Sequence, residues 1–214
     1  MEANPCLQQT LRYFELARIQ LPSYPMDHFT PMFDVFEKLE CVNFSYVNIP
    51  IDQLLQVISA SKTRIHVIHM TYMQCSNSFT ERPDPVILPP YLIHLDLSFC
   101  TFSDVAIVSL LKLIGMTQFD NPIMLQLIKL DVNPNFIYQL DSIDLTRINP
   151  NSILEFDFSA NQILAEPSLK LFAYLFTQKA MRLVQFNSIE VDDGVTFLKN
   201  LMTLITNLQL PGFE

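Results

Sequence analysis

One spacing of apolar residues runs the length of this chain and constrains its fold more than any other feature. Leu92, Leu95, Leu97, Cys100 and Phe102 hold positions 1, 4, 6, 9 and 11 of a frame, and Ile153, Phe156, Phe158, Asn161 and Ile163 hold the same five. A third copy reads Leu127, Leu130, Val132, Asn135 and Ile137. Weaker copies run from Leu11 to Leu21, Leu39 to Ile49, Ile65 to Cys75 and Met181 to Val191, and a partial one starts at Ile205 with Leu208 and Leu210. The copies begin at residues 11, 39, 65, 92, 127, 153, 181 and 205, giving intervals of 24 to 28 residues and a single one of 35. One such match means little in an apolar chain. Seven at near-constant spacing predict a stack of like units. No unit can bury its apolar face alone, so neighbours must share a continuous core.

The alternation inside the frame predicts a short strand, with positions 1, 4, 6 and 11 inward and positions 3, 5 and 7 outward. Helix-length segments follow, at 26–36, 52–61, 103–114, 166–178 and 192–206. Two of them carry apolar residues at three- and four-residue steps, as in Val105, Val108 and Leu111 or Leu169, Phe172 and Phe176. Ser103 and Asp192 stand where N-caps belong, Asp104 and Asp193 follow where acidic groups suit the helix dipole, and Pro167 sits near a helix start. Two stretches break the pattern. The segment 76–90 holds four prolines and cannot be a regular helix, and 138–149 has room for only a turn or two. The long interval predicts extra chain near 115–122, as a loop on one rim.

The LxxLxLxx(N/C)xL frame, with Phe102-Ser-Asp104 and Val191-Asp-Asp-Gly194-Val195 at the junctions between strand loop and helix, resembles the leucine-rich repeat of the ribonuclease-inhibitor type, including the CARMIL-like arrays. The resemblance implies an α/β solenoid with a curved parallel sheet on one face and helices on the other. Residues 1–214 would form a single domain of seven to eight repeats, or a piece of a longer array. The implied function is a non-catalytic protein–protein interaction scaffold that uses its concave strand face. Enzyme-inhibitor and GTPase-activating leucine-rich-repeat proteins are the alternative, with Arg82 of the Pro-rich segment as the conceivable catalytic loop residue.

Composition narrows the remaining classes. The 214 residues include only 3 Gly, where an average chain would carry roughly 15. Gly115, Gly194 and Gly212 lie far apart, which excludes a Gly-rich phosphate loop, a dinucleotide fingerprint and a nucleophile elbow. Half the chain is hydrophobic, which excludes intrinsic disorder. The net charge of −9 and the lack of a basic run argue against nucleic acid and for a protein partner with a basic surface. Charged residues interrupt the first 21 positions, so no signal peptide is expected, and no apolar run is long enough for membrane insertion. Cys6, Cys41, Cys75 and Cys100 have no CxxC spacing, which points to a reducing, cytoplasmic setting. Cys75 and Cys100 read as buried spacers, and neither a cofactor nor a catalytic residue is expected.

Candidate contact residues follow from the register. Position 5 reads Glu15, Asn43, His69, Asp96, Asp131, Asp157 and Gln185, so Asp96, Asp131 and Asp157 should stand about 4.8 Å apart as an acidic ladder. The ladder would attract a basic surface, or it is a solvated face partly neutralised by Lys129. His66, His69 and His94 cluster in sequence, with His69 and His94 outward beside the ladder, but different heights on successive strands do not suit a compact metal site. Tyr46, Tyr72 and Phe99 share position 8, at the lip where strand turns into loop. Aromatics in a row there suit a protein interface, or pack against neighbouring loops. Tyr13 is a further outward aromatic.

Overall fold

The structure, a computed structural model, describes residues 5–20, 29–75, 77–80 and 86–207. Its first half runs α1 (Pro5–Thr10), β1 (Tyr13–Glu15), α2 (Phe29–Asp34), β2 (Cys41–Asn43), α3 (Ile51–Ala60), β3 (Val67–His69), β4 (Gln74–Cys75), β5 (His94–Asp96) and β6 (Thr101–Phe102). The second half adds α4 (Asp104–Met116), β7 (Ile123–Gln126), β8 (Ile153–Asp157), β9 (Gln162–Ile163), α5 (Ser168–Phe176), β10 (Leu183–Gln185), β11 (Glu190–Val191) and α6 (Gly194–Asn207). Two 3₁₀ helices, Pro134–Ser142 and Leu145–Arg147, take the place of an α-helix between β7 and β8.

The protein is α/β, with a parallel sheet of seven strands in the order β1-β2-β3-β5-β7-β8-β10. Each strand of this sheet thus lies beside the next one in sequence. Parallel neighbours require a crossover, and the helices supply it in most repeats. The register is constant: Phe14 pairs with Val42, Val42 with Ile68, Ile68 with Leu95, Leu95 with Leu125, Leu125 with Phe156, and Phe156 with Val184. In six copies the central residue is position 4 of the frame. Because side chains alternate along a strand, positions 4 and 6 turn to the helices, while positions 3 and 5 turn away. Leu39, Val42 and Phe44, Ile65, Ile68 and Met70, Leu92, Leu95 and Leu97, and Ile153, Phe156 and Phe158 are buried in one cluster with the helices. Position 11 forms smaller ladders of its own, Cys75 beside Phe102 and Ile163 beside Val191.

The copy centred on Leu130 is out of register. The strand is β7, centred on Leu125, and Gln126 rather than Asp131 holds position 5. The error has a simple origin. The frame's 1-4-6 spacing recurs in its 6-9-11 spacing, so Leu127, Leu130 and Val132 fit either reading. With β7 in its true place the central residues Leu95, Leu125 and Phe156 are 30 and 31 residues apart, and the interval of 35 disappears. No extra loop exists near 115–122. α4 runs to Met116, and a short connection of ordinary length leads into β7. Asn135 lies in the first turn of a 3₁₀ helix, exposed, and Leu130 is only partly buried.

Helix ends follow the expected chemistry with one shift. Ser103 caps α4, its side chain accepting the N–H of Ala106 at 3.2 Å. At α6 the cap is Asp193, which accepts from Val195 and Thr196, while Asp192 instead accepts the N–H of Ala165 at 2.7 Å. Only 29–34 of the segment 26–36 is helical among the described residues. Ile205 lies inside α6, not at the start of a strand, and Leu21, Leu208, Leu210 and Arg82 lie outside the described residues. At the far end of the sheet Val184, inward by register, is 39% exposed, unlike its buried counterparts.

Candidate functional site

Among the described residues, seven of the eight sequence-predicted contact residues, His69, His94, Asp96, Asp157, Tyr46, Tyr72 and Phe99, come together on the outward strand face and its lip. Position 3 reads Tyr13, Cys41, Val67, His94, Met124, Glu155 and Leu183 across the sheet, and position 5 reads Glu15, Asn43, His69, Asp96, Gln126, Asp157 and Gln185. Asp131 is not on this face. It pairs with Thr101 beyond the turn and accepts the Thr101 hydroxyl at 3.2 Å. The expected ladder of three aspartates is therefore Asp96 and Asp157 with Gln126 between them.

Asp96 and Asp157 also do something the sequence reading missed. Each accepts, through Oδ1, the backbone N–H two residues on, Ser98 and Ser159, both at 3.0 Å, and Asn43 does the same for Ser45. The serines then accept from the following repeat: Ser45 from the N–H of Thr71 (3.1 Å) and Ser159 from that of Asn187 (3.0 Å). The Leu-Asp-Leu-Ser pattern is thus a hydrogen-bond relay that closes each turn and ties it to the next. Burial alone would raise the Asp96 carboxyl, but hydrogen bonds from His69 and Ser98 outweigh it and hold the group below the ordinary carboxylate value.

His69 and His94 do meet, their rings edge to face with centroids 5.3 Å apart. His69 Nδ1 lies 3.5 Å from Asp96 Oδ2, and His94 Nε2 lies 3.0 Å from Gln126 Oε1. His66 stays apart, its carbonyl accepting from the backbone of Ile93 and His94. Among the described residues no three His, Cys, Asp or Glu side chains are placed to hold a metal ion.

Position 9 carries the link between repeats. The Asn161 amide donates to the carbonyls of Leu127 and Phe158 at 2.7 and 2.8 Å, and its oxygen accepts the N–H of Leu130 at 2.7 Å. Cys100 does similar work with a weaker group: its thiol donates to the carbonyl of Met70 and accepts the N–H of Met73. Burial pushes the Cys100 thiol up to about 12, and burial with the nearby Asp52 carboxylate pushes Cys75 up to about 12. A thiol held in that range is not a nucleophile.

The lip holds the most distinctive geometry. Among the described residues, position 8 of seven repeats takes a left-handed backbone: Arg18, Tyr46, Tyr72, Phe99, Lys129, Ala160 and Ser188 all have φ between 50° and 62°. In the first six, the N–H donates to the carbonyl of position 7 in the next repeat, as from Tyr46 to Thr71 and from Tyr72 to Ser98. A left-handed turn normally selects Gly or Asn, and a bulky side chain there costs about 1–2 kcal/mol. Three consecutive repeats nonetheless use aromatics. Tyr46 and Tyr72 stack at 4.2 Å with ring planes 11° apart, and Tyr72 and Phe99 stack at 4.6 Å and 2°. Each stacked pair returns about 0.5–1.5 kcal/mol. The three residues remain 40%, 46% and 37% exposed. The Arg18 guanidinium covers the outer face of Tyr46 at 5.4 Å from its centroid, and Lys129 takes the next place beyond Phe99. A recess of about 320 Å³ opens beside the row, between Tyr46, Tyr72, Pro50 and Gln74. Arg18 is not evident as a site residue in the sequence, and Lys129, expected beside the acidic ladder, stands instead at the lip. Counting position 8 through every copy in the correct register would have found both.

No helix among the described residues is long and apolar enough to cross a membrane. No family model matches the sequence, and no curated protein matches it.

Proposed function

We infer that the chain is a leucine-rich-repeat solenoid that works as a non-catalytic protein-interaction scaffold in the cytoplasm. What supports the repeat assignment is the seven-stranded parallel sheet in sequence order, with Asn161 and Cys100 bridging repeats from position 9. The observation that carries the function is the exposed row of stacked aromatics at the lip. Three rings held in a strained backbone conformation and left open to solvent are a rigid, amphipathic contact surface of the kind that dominates interface energetics.

The partner lies across the outward strand face and this lip. Its surface facing the strands is basic, because Glu15, Asp96, Glu155 and Asp157 face outward on a chain of net charge −9. A reducing compartment fits Cys41, Cys75 and Cys100, which form no disulfide among the described residues. Oxidative footprinting of tyrosines tests the reading once a partner has been captured on the immobilised chain. Bound partner should protect Tyr46 and Tyr72 and leave Tyr138, on the helix side, as reactive as before. Protection of Tyr138 with Tyr46 and Tyr72 unchanged would defeat it.

A further inference from the structure

The stacking at the lip decides what chemistry it can meet. In a ladder with ring centroids 4.2 and 4.6 Å apart and near-parallel planes, each inner face is covered by its neighbour. Arg18 covers the outer face of Tyr46. Sugars, nucleobases and quaternary ammonium groups need an open ring face, and Tyr46 and Tyr72, covered on both sides, give them none. With both faces covered, Tyr46 and Tyr72 can offer a partner only their ring edges and phenol hydroxyls. The edge of an aromatic ring is the positive pole of its quadrupole, and a hydroxyl can donate. Among the described residues neither Arg18 nor Lys129 has a carboxylate in ion-pair contact, and Asp131, two residues beyond Lys129, is taken by Thr101. A chain of net charge −9 thus carries one strip with an exposed cation at each end and aromatic rings between.

We propose that the row Arg18, Tyr46, Tyr72, Phe99 and Lys129 docks an extended segment of the partner that has an acidic residue at each end of a short apolar stretch. The row spacing fixes the length. Four strand spacings of about 4.8 Å put Arg18 and Lys129 roughly 19 Å apart, which six residues of extended or polyproline chain span at about 3.1–3.3 Å each. The acidic ends meet the two cations, and the apolar middle lies along the ring edges with the recess beside Tyr46 and Tyr72 open to one side chain. This rests on the scaffold reading and adds to it a partner of two signs, basic toward the strands and acidic along the lip.

The test uses the full chain with 3-fluorotyrosine in place of tyrosine and ¹⁹F NMR as readout. The probe is a heptapeptide with glutamate at both ends and prolines and leucines between, titrated to millimolar concentration against the same peptide ended in lysine. The glutamate peptide should shift the Tyr46 and Tyr72 resonances and the lysine peptide should not. Arg18→Gln with Lys129→Gln should weaken binding about three- to tenfold, while Lys179→Gln with Lys199→Gln, the same charge change elsewhere, should leave it unchanged. Absence of any shift, equal binding of the lysine peptide, or equal weakening by both charge pairs would overturn the proposal. A captured partner that protects Tyr46 and Tyr72 but is not displaced by the glutamate peptide would leave the scaffold standing and remove the acidic strip.

Discussion

Tyr174 is buried beneath Gly115, and the two cannot both carry a full side chain. The Tyr174 hydroxyl donates to the carbonyl of Leu111 at 2.7 Å, and a Cβ built on Gly115 would stand 3.1 Å from that hydroxyl and 2.5 Å from the end of Ile148. Helix α4 therefore approaches α5 through the missing side chain, and burial holds the phenol well above its ordinary pKa. Gly115→Val should destabilise the protein by about 2–3 kcal/mol through overpacking. Gly194→Ala, with nothing within 4 Å of the added carbon, should be neutral or stabilise by up to about 1 kcal/mol. Thermal unfolding of the two variants checks the contrast, and equal melting temperatures would refute the packing.

Asn161 predicts a graded series. Asn161→Ala leaves the N–H of Leu130 and the carbonyl of Leu127 without their partner and should cost about 2–4 kcal/mol. Asn161→Cys should recover part of that loss, because Cys100 bridges its own repeats with a thiol. Urea unfolding gives the order wild type, Cys, Ala. A Cys variant no better than Ala would mean that the thiol at position 9 is only a spacer.

How much of this was legible in the sequence depends on the residue. The frame reads Leu95, Leu97, Leu130, Phe156 and Phe158 as buried core; four of them are, because a strand with one face against helices must alternate, while Leu130, out of register, is only partly buried. Tyr46, Tyr72 and Phe99 were read into one row at the lip, and they form it. Asp131 was misplaced because a 3-2 spacing that occurs twice in the frame cannot fix its own register. Asn133 and Pro134, turn formers that follow Val132, were the signal against it. The structural work of Asp96 and Asp157 was hidden because an outward carboxylate looks the same in sequence whether it meets a partner or its own backbone.

Asp96 makes a pH prediction with a definite sign. Its folded pKa lies below the unfolded value of about 3.9, so its contribution to stability is complete above that value. The contribution is lost as pH falls through the folded pKa. Asp96→Asn keeps an oxygen for the Ser98 N–H and should fold, but its urea midpoint should fall less steeply than wild type between about pH 5 and pH 2. Identical acid profiles would show that Asp96 gains nothing from His69 and Ser98.

Thiol chemistry separates the four cysteines. Cys6 is exposed and Cys41 half-buried, whereas Cys75 and Cys100 are buried with pKa values of about 12. A chromogenic disulfide reagent at neutral pH should label Cys6 fast, Cys41 more slowly, and the other two only after denaturation. Rapid native labelling of Cys100 would contradict its place as a bridge between repeats.

The central claim, that the stacked lip is the contact surface, is tested most directly by removing the rings without disturbing the turn. Asn accepts the left-handed backbone that Tyr46, Tyr72 and Phe99 adopt, so the triple Asn variant should fold with unchanged or higher stability. Its control replaces the exposed helix residues Val105 and Leu169 with Asn. Quantitative capture of partners from whole-cell protein by wild type, lip variant and control is the measurement. The account predicts a protein retained by wild type and control and lost from the lip variant. Retention by all three, or loss from the control alone, would contradict it.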